Sequence, residues 1–429
     1  MTRKMKDSGI EWIGEIPEDW KLTKVKHIGK YINGYPFKPS DWSDSGVPII
    51  RIQNLTGNNS EYNYYSGPKL PEDYFIIKND YLISWSATLG VFIWHKDKGY
   101  LNQHIFKAVP NEAVINYDYF YWIAKIFIEE IQSYMHGSAM QHVTKAVFDN
   151  FTIPLPSGKQ EQIKISETLS SKIALKNSTK QSIIKEIQTL EDYKKSIITE
   201  AVTQGLDKNV EMKDSGIEWI GEIPKHWKKI ELRYLSSIVR GGSPRPISNY
   251  MSDNDTDLNW IKIGDTEKGS KYINRTKNKL KISGLSSTTY VKKGELILSN
   301  SMSYGEAYIL NIDGCIHDGW LAFKEIKNVD QEYLYFSLLS TNTLAQFDML
   351  CDGGVVQNLN IDKVKTVKIF IPNLDEQVKI ADYLNKKTKL IDESIAIKQK
   401  QLKTLEEYKK SLIYEYVTGK KEVKDGEET

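Results

Sequence analysis

The sequence predicts an α+β protein built twice: two pseudo-symmetric mixed α/β domains separated by two long antiparallel helices that form a coiled-coil spacer. Three observations carry this prediction. The thirteen residues MKDSGIEWIGEIP begin at Met5 and again at Met212. A second shared stretch, LEDYKKSIITEAVT from Leu190 and LEEYKKSLIYEYVT from Leu405, agrees at ten of fourteen positions. Between these ends, each half carries short runs rich in β-branched and aromatic residues, punctuated by Gly, Asn, Asp and Pro, the pattern of strands joined by turns. Self-similarity over this span marks an internal repeat.

The domain order follows from where the repeats fall. Residues 1–152 form a first variable domain with its N-terminal repeat segment, and 153–206 a central helical spacer. Residues 207–368 repeat the domain, and 369–429 form a C-terminal helix and tail. Landmarks keep pace through the variable middles. KHIGKYINGYPFKP from Lys26 faces RYLSSIVRGGSPRP from Arg233, PIIRIQNL from Pro48 faces NWIKIGDT from Asn259, and NDYLISWSATLG from Asn79 faces KGELILSNSMSYG from Lys293. GSAMQH from Gly137 faces GGVVQN from Gly353, and FTIPLP from Phe151 faces IFIPNL from Ile369. VPIIRI, DYLISW, GVFIWH, ELILSN and EAYILN read as strands. YDYFYWIAKIFIEEI from Tyr117 reads as a buried amphipathic helix, interrupted by Lys125 and too short to span a bilayer. EYLYFSLLST is its partner in the second half.

The shared ends read as helices. Leu169, Ile173, Ile183, Ile187, Leu190, Ile197 and Ala201 recur at steps of three, four or their sum, with one longer gap between Ile173 and Ile183. Leu384, Thr388, Ile391, Ile395, Leu402, Leu405, Leu412 and Tyr416 repeat the pattern. This is a heptad seam, interrupted by Lys194, Lys398 and Lys409. Glu161 to Val202 would span about 63 Å as a helix. Either each stripe packs on its own domain, or the two helices pack on each other, which their matched length and register favour. A two-fold relation then places the N-terminal MKDSGIEWIGEIP beside the end of the second helix. The chain becomes nearly circular, with one variable domain at each end of the spacer.

Composition narrows the function. The chain has 429 residues, a net charge of +2, two cysteines and seven histidines. Nucleic-acid contact would come from local basic patches rather than from the total. Two cysteines exclude a disulfide framework, and MTRKMKDSGIEW is no secretory leader, which fits a cytoplasmic protein. No phosphate-binding loop, Gly-x-Gly-x-x-Gly, Asn/Asp-Pro-Pro-Tyr/Phe, Cys-x-x-Cys or His-Glu-x-x-His occurs. HDGWLAFKEIK sets Asp318 ahead of Glu325 and Lys327, a faint echo of a metal-dependent nuclease.

Polar residues in the variable middles offer a reading surface instead. In the first half these are Lys38, Arg51, Gln53, Asn54, Trp85, Ser86, Asn102, Gln103 and His104. In the second they are Arg240, Ser243, Arg245, Lys262, Asp265, Asn300, Ser301 and Tyr304, with Ser303 beside them. Arg, Lys, Asn and Gln make the bidentate contacts that distinguish bases, and hydroxyls position the phosphate backbone. Any one such residue, taken alone, is more often a solvated loop residue. Collectively, two unequal readers suit double-stranded DNA with two unequal half-sites.

The opening DSGIEWIGEIPEDW, the Ile-x-Ile-Pro…Glu-Gln-x-x-Ile junction and LEDYKKSIITEAVTQG resemble the specificity subunit of type I restriction–modification systems, and the likeness covers both halves. The second copy departs at GGVVQN and has one residue fewer between Pro372 and Glu376 than between Pro156 and Glu161. The resemblance implies that the variable middles are target recognition domains of a non-catalytic subunit without metal or cofactor of its own. Its partners would be DNA, two methyltransferase (modification) subunits and two restriction (motor-nuclease) subunits, with no membrane. S-adenosylmethionine, ATP and Mg would bind those partners. Trp12, Ile13, Trp219, Ile220, Tyr193 and Tyr408, in the shared segments, are candidates for partner docking. A stand-alone two-headed DNA-binding regulator and a nuclease with an unrecognised site remain as alternatives at this level.

Overall fold

A computed structural model describes residues 3–57, 61–86, 88–136, 144–267, 269–301, 304–350 and 359–423. The expected turn segments at Gly137–His142 and Gly353–Asn358, with Ser303 and Cys351, lie outside the described residues. The chain divides into two compact units: Met1–Ser182 with Gln401–Thr429, and Ile183–Lys400. Each long helix contributes one stretch to each unit.

In the first unit the repeat segment forms a hairpin of β1 (Met5–Asp7) and β2 (Glu15–Pro17). Then come β3 (Lys21–Lys24), β4 (Gly29–Asn33), β5 (Val47–Ile50), β6 (Asn63–Tyr65), β7 (Phe75–Ile76), β8 (Tyr81–Ser84), β9 (Gly90–Ile93), β10 (Gly99–Leu101) and β11 (Ile105–Pro110). Helix α1 (Tyr117–His136) follows, then β12 (Thr152–Leu155), which pairs antiparallel with β3, and α2 (Lys159–Gln204). Two four-stranded sheets result, in the orders β4-β11-β8-β9 and β6-β5-β10-β7. The first is antiparallel throughout. In the second, β5 and β10 run parallel with Ile50 opposite Leu101. Helix α1 buries Tyr119, Phe120, Ile123, Ala124 and Phe127 completely, as its apolar sequence requires.

The second unit repeats this plan in β13 (Met212–Asp214), β14 (Glu222–Pro224), β15 (Lys228–Glu231), β16 (Ser237–Arg240), β17 (Met251–Ser252), β18 (Leu258–Ile261), β19 (Tyr272–Ile273), β20 (Asn278–Leu280), β21 (Thr289–Val291), β22 (Leu296–Ser299), β23 (Ala307–Leu310), β24 (Gly314–Ile316) and β25 (Trp320–Lys324). Helix α3 (Gln331–Leu339), β26 (Lys368–Ile371) and α4 (Leu374–Val417) complete it. Its sheets have five strands, β16-β25-β22-β23-β19 and β17-β20-β18-β24-β21, and β18 runs parallel to β24 with Ile261 opposite Ile316. The five strand motifs read from the sequence are β5, β8, β9, β22 and β23, and both expected helices form.

The repeated segments build the same corner in each unit. Trp20 is buried and its indole N–H donates to Glu161; Trp227 does the same to Glu376 at 3.1 Å. The side chain of Gln162 accepts from the Asn116 amide at 2.6 Å and donates to the Pro156 carbonyl at 3.2 Å. Gln377 accepts from Asp330 at 2.7 Å and donates to Pro372 at 2.9 Å. The missing residue before Glu376 therefore leaves these contacts intact, because the turn before the helix absorbs it. Asn116 and Asp330 each cap a helix by accepting from Tyr119 N and Tyr333 N, both at 2.9 Å. The charge partners differ: Arg3 pairs with Glu161, whereas His226 meets Glu376 at 2.9 Å.

In the first unit, the Tyr414 hydroxyl near the end of α4 donates to the Trp12 carbonyl at 2.7 Å, and Tyr119 donates to Val417 O at 3.3 Å. In the second, the Tyr333 hydroxyl donates to Phe370 O at 2.6 Å, with Val202 O, near the end of α2, at 3.4 Å. Burial drives both phenols far above their ordinary ionisation range, so they remain donors. The N-terminal repeat thus lies beside the end of the second long helix, as the sequence suggested.

The long helices pair antiparallel within each unit. Lys194 bonds Asp392 at 2.7 Å and Lys398 pairs with Glu186 in the second unit. Lys180 bonds Glu406 at 2.8 Å and Lys409 bonds Asn177 at 2.8 Å in the first. The lysines that interrupt the seam thereby find acceptors. Leu169, Ile173, Leu412 and Tyr416 are buried in the first unit's core, and Ile197, Ala201, Leu384 and Ile391 in the second's. Ile183, Ile187, Leu190, Ile395, Leu402 and Leu405 are only half-buried. Both readings of the stripe are therefore correct, each for a different stretch. A two-helix layer covers one side of each stripe, and full burial needs the sheets and α1 or α3 as well.

Candidate nucleic-acid interface

The two sheets of each unit meet at one end, and the chain crosses between them there. In the first unit, the Asn102–His104 turn carries the chain from β10 into β11. Antiparallel pairing places the ends of β4 and β8 beside the start of β11, with Asn33 opposite Phe106 and Ser84 opposite Ile105. Parallel pairing places the end of β5, and hence Arg51, beside Asn102, whose amide donates to Ile50 O at 3.0 Å. Arg51, Gln53, Trp85, Ser86, Asn102, Gln103 and His104, which are far apart in sequence, converge at this end. Lys38 is exposed, on the loop that leaves it.

The second unit brings Arg240, Ser243, Lys262, Asn300 and Ser301 to the corresponding end, around the turn from β24 to β25. The equivalence extends to single hydrogen bonds. The Arg51 amide donates to Asn54 Oδ1 at 2.9 Å, and the Lys262 amide to Asp265 Oδ2 at 2.8 Å. The Arg51 guanidinium bonds Asn63 Oδ1 at 3.1 Å, and the Lys262 ammonium bonds Asn278 Oδ1. Gly34 and Gly241 allow the crossing. A Cβ on Gly34 would lie 2.2 Å from the Leu101 and Asn102 carbonyl oxygens, and one on Gly241 2.2 Å from His317 O.

Several candidates have other duties. Asn54 Nδ2 donates to Glu61 O at 2.8 Å while its Oδ1 holds the Arg51 turn. Asp265 accepts with both oxygens, from Lys262 N and from Lys277 N at 3.0 Å. These two shape the turn that presents the cation. The Tyr304 hydroxyl donates to Asp348 at 2.7 Å. Asn300 is 2% exposed. Among the docking candidates, Ile13 is fully buried in its own core and Ile220 packs against one, whereas Trp12 stacks on Phe151 at 5.5 Å. Trp219, Tyr193 and Tyr408 are exposed at 47, 51 and 48%.

Sequence reading missed His317 and Asp318 as members of this end. Their signal was available: GCIHDG is the counterpart of GYLNQH. Asp318 instead drew attention through Glu325, but the five residues of β25 separate the two, about 17 Å of strand, and Glu325 pairs with Lys327. That distance rules out a shared metal ion. Among the described residues no group of His, Cys, Asp and Glu is placed to hold a metal, and no helix is long and apolar enough to cross a membrane.

The end of each unit also leaves buried polar atoms without partners: Trp85 Nε1 and Gln103 Oε1 in one, Asn300 Oδ1 and Trp320 Nε1 in the other. Such orphans are rare and mark places where a ligand or water completes the bonding. Around His317 the field is positive. Burial lowers its pKa; Asp318 opposes the shift, and Lys262, Arg245 and Arg240 reinforce it. Arg240 Nε is fixed on the Asp318 carbonyl at 3.0 Å. Cations set on turns around open hydrogen-bonding groups suit a polyanion that is read by its base edges.

The family profile described as type I restriction modification DNA specificity domain matches residues 17–189 and 224–407. The chain is 24% identical to the type I restriction enzyme MjaVIII specificity subunit of Methanocaldococcus jannaschii, over 96% of this chain and 95% of that one. It is 22% identical to the EcoBI specificity subunit of Escherichia coli, over 88% and 81%. A chain solved in work on complex assembly and conformational transition of the type I R-M system superposes with a TM-score of 0.68 at 13% identity, covering 94% of this chain and 98% of that chain. The doubled profile match, falling on the two copies that the repeat defines, makes this chain a member of the type I restriction–modification specificity subunit family, whose members recognise DNA and leave catalysis to partner subunits.

Proposed function

We propose that this chain reads a bipartite, asymmetric DNA target, one half-site by each unit, and docks the modification and restriction subunits that act on it. The carrying observation is the crossing end, which recurs with one backbone plan and different side chains. Arg51 stands where Lys262 stands, Asn102 where His317 stands, and Gln103 where Asp318 stands. Two readers of one design and unequal chemistry suit two unequal half-sites. Lys38, Arg240 and Arg245 serve as phosphate or base contacts at the margins.

The spacer helices support the docking. Leu175 and Tyr408 are 65 and 48% exposed in the first unit, and their repeat counterparts Leu390 and Tyr193 are 60 and 51% exposed in the second. Equivalent apolar pairs, one per unit, fit two copies of one partner, the methyltransferase subunit. Two motor-nuclease subunits complete the restriction form. S-adenosylmethionine, ATP and Mg then belong to those chains. The test is affinity purification from the native host, with adenine methylation mapped genome-wide with and without the gene. The expected result is co-purifying methyltransferase chains and loss of one two-part methylated motif. A chain that purifies alone, from a host whose methylation is unchanged by the deletion, overturns the reading.

A further inference from the structure

We infer that Asp318 is a specificity-determining residue of the second reader, and that its free carboxylate oxygen selects a base carrying an exocyclic amino group in the major groove. The inference rests on the proposal that the second unit reads one half-site. It starts from how the carboxylate is held. The Ser243 hydroxyl donates to Asp318 Oδ1 at 2.7 Å, and His317 Nε2 lies 2.8 Å from the same oxygen. The Gly319 amide donates to His317 Nδ1 at 3.0 Å. A backbone N–H can only donate, so Nδ1 is the acceptor and the neutral ring carries its proton on Nε2. Two donors therefore converge on Oδ1; Asp318's own amide also supports the carboxylate, and no other described residue donates to Oδ2. The side chain is about one-third exposed, at 36%.

Position and charge agree with a reading role. Asp318 lies at the tip of the β24–β25 turn, where the first unit places Gln103. Burial raises its pKa, but the Ser243 bond, the neighbouring His317, a bond from its own backbone amide and the charge of Arg240 outweigh that and hold it below its ordinary range. It is an anion at neutral pH, and an anion only accepts. Arg240 acts on Asp318 itself, and Arg245 and Lys262 act with it on the adjoining His317, so nearby cations offset the carboxylate's repulsion from phosphates. On the major-groove edge, the amino donors are cytosine N4 and adenine N6. The minor groove is the more negative site where it is narrow, which disfavours a carboxylate there.

The lock on Oδ1 makes a sharp test. In Asp318→Asn, Ser243 and His317 hold the amide oxygen in the place of Oδ1. The amide nitrogen then takes the place of Oδ2 and presents a donor. The full chain with its co-purified partners is assayed by competition binding. The probes are duplexes of the mapped target, with each base pair of both half-sites varied in turn. The expected result is a change at one base pair of the second half-site, from cytosine or adenine to guanine or thymine, by roughly tenfold, the scale of one base contact. All first-half preferences stay fixed. Ser243→Ala keeps Oδ2 as an acceptor, so it should keep the preferred base at that pair and lower discrimination there several-fold.

A uniform loss across all second-half positions would assign Asp318 a structural role and overturn the inference. So would unchanged preference in both variants. A preference for guanine that disappears on replacement by inosine would move the contact to the minor groove and overturn it too. If the wild-type complex itself shows no second-half preference, the underlying reading fails instead.

Discussion

At the scale of residues, the crossing end depends on two glycines and one imidazole. Gly34→Ala and Gly241→Ala each drive a methyl group onto backbone carbonyls at the ends of β10 and β24 and in the turns that follow, where the flanking strands, paired on both sides, leave little room to shift. Each should cost about 1–3 kcal/mol or more in urea unfolding, the range of overpacking, and Gly158→Ala, with open space around it and no left-handed φ, should cost less. His317 gives a pH signature. Its folded pKa is lowered, first by burial and then by Lys262, Arg245 and Arg240 against Asp318. The unfolded imidazole therefore takes up a proton first, near its ordinary 6.5. The stability that His317 contributes is complete above that pH and falls away as pH drops towards the folded value. The melting difference between wild type and His317→Asn should accordingly shrink from pH 7.5 to pH 5.5; a constant difference would contradict it. Residue types were legible at this scale, but duties were not. Asn54 and Asp265 look like readers in a string of letters, yet their oxygens hold the backbone of the turn. Asp318 looked like half of a nuclease motif, because Ser243, the partner that holds its Oδ1, is 75 residues away and is brought to it by strand pairing rather than by spacing.

At the scale of elements, periodicity predicted most of what forms. Runs rich in β-branched and aromatic residues became β5, β8, β9, β22 and β23, and the heptad seam became α2 and α4. The helices end where Gly205 and Gly419 adopt φ of +74°, the left-handed conformation that favours glycine after a helix. Periodicity could not say how much of the seam is covered, since a heptad records which face is apolar and not what lies on it. The structure grades it. Leu169 and Leu384 are fully buried among their unit's sheets and helices, whereas Leu190 and Leu405 are half-buried between helices alone. Leu169→Ala and Leu384→Ala should each cost about 2–5 kcal/mol, and Leu190→Ala and Leu405→Ala markedly less, read by the same denaturation. The ion pairs belong with the weaker set: Lys194 and Asp392 are 24 and 37% exposed, and Lys194→Ala should cost about 1 kcal/mol or less. Equal costs along the whole seam would show that coverage by the domains contributes nothing.

At the scale of the whole molecule, the repeat separates what is fixed from what can be exchanged. The frame of the first unit consists of Trp20 with Glu161, Gln162 with Pro156, and Trp12 with Tyr414, and all six residues lie outside 21–150. The hydrogen bonds that cross that boundary are mostly made by backbone atoms of the segment, which any sequence supplies, whereas the apolar contacts join side chains of α1, such as Phe120, Ile123 and Phe127, to Leu169 and Leu412 in one core. Strand β3 meets β12 through ladder bonds, and the Asn116 amide donates to Gln162. The side-chain requirements on the incoming segment are an apolar face on its helix, to fill the core shared with α2 and α4, and a tyrosine at the place of Tyr119, to reach Val417 O. Replacing 21–150 with the corresponding segment of another family member that keeps this tyrosine should therefore give a folded chain. The second unit, residues 183–400, retains every internal bond in such a chimera. Methylation mapping should find a new first half-site joined to the unchanged second one. A chimera whose tyrosine is replaced by phenylalanine should read the same bases but melt lower, since one buried carbonyl loses its donor at a cost of about 1–3 kcal/mol. If both half-sites change when only the first segment is exchanged, the units do not read independently, and the two-reader account fails.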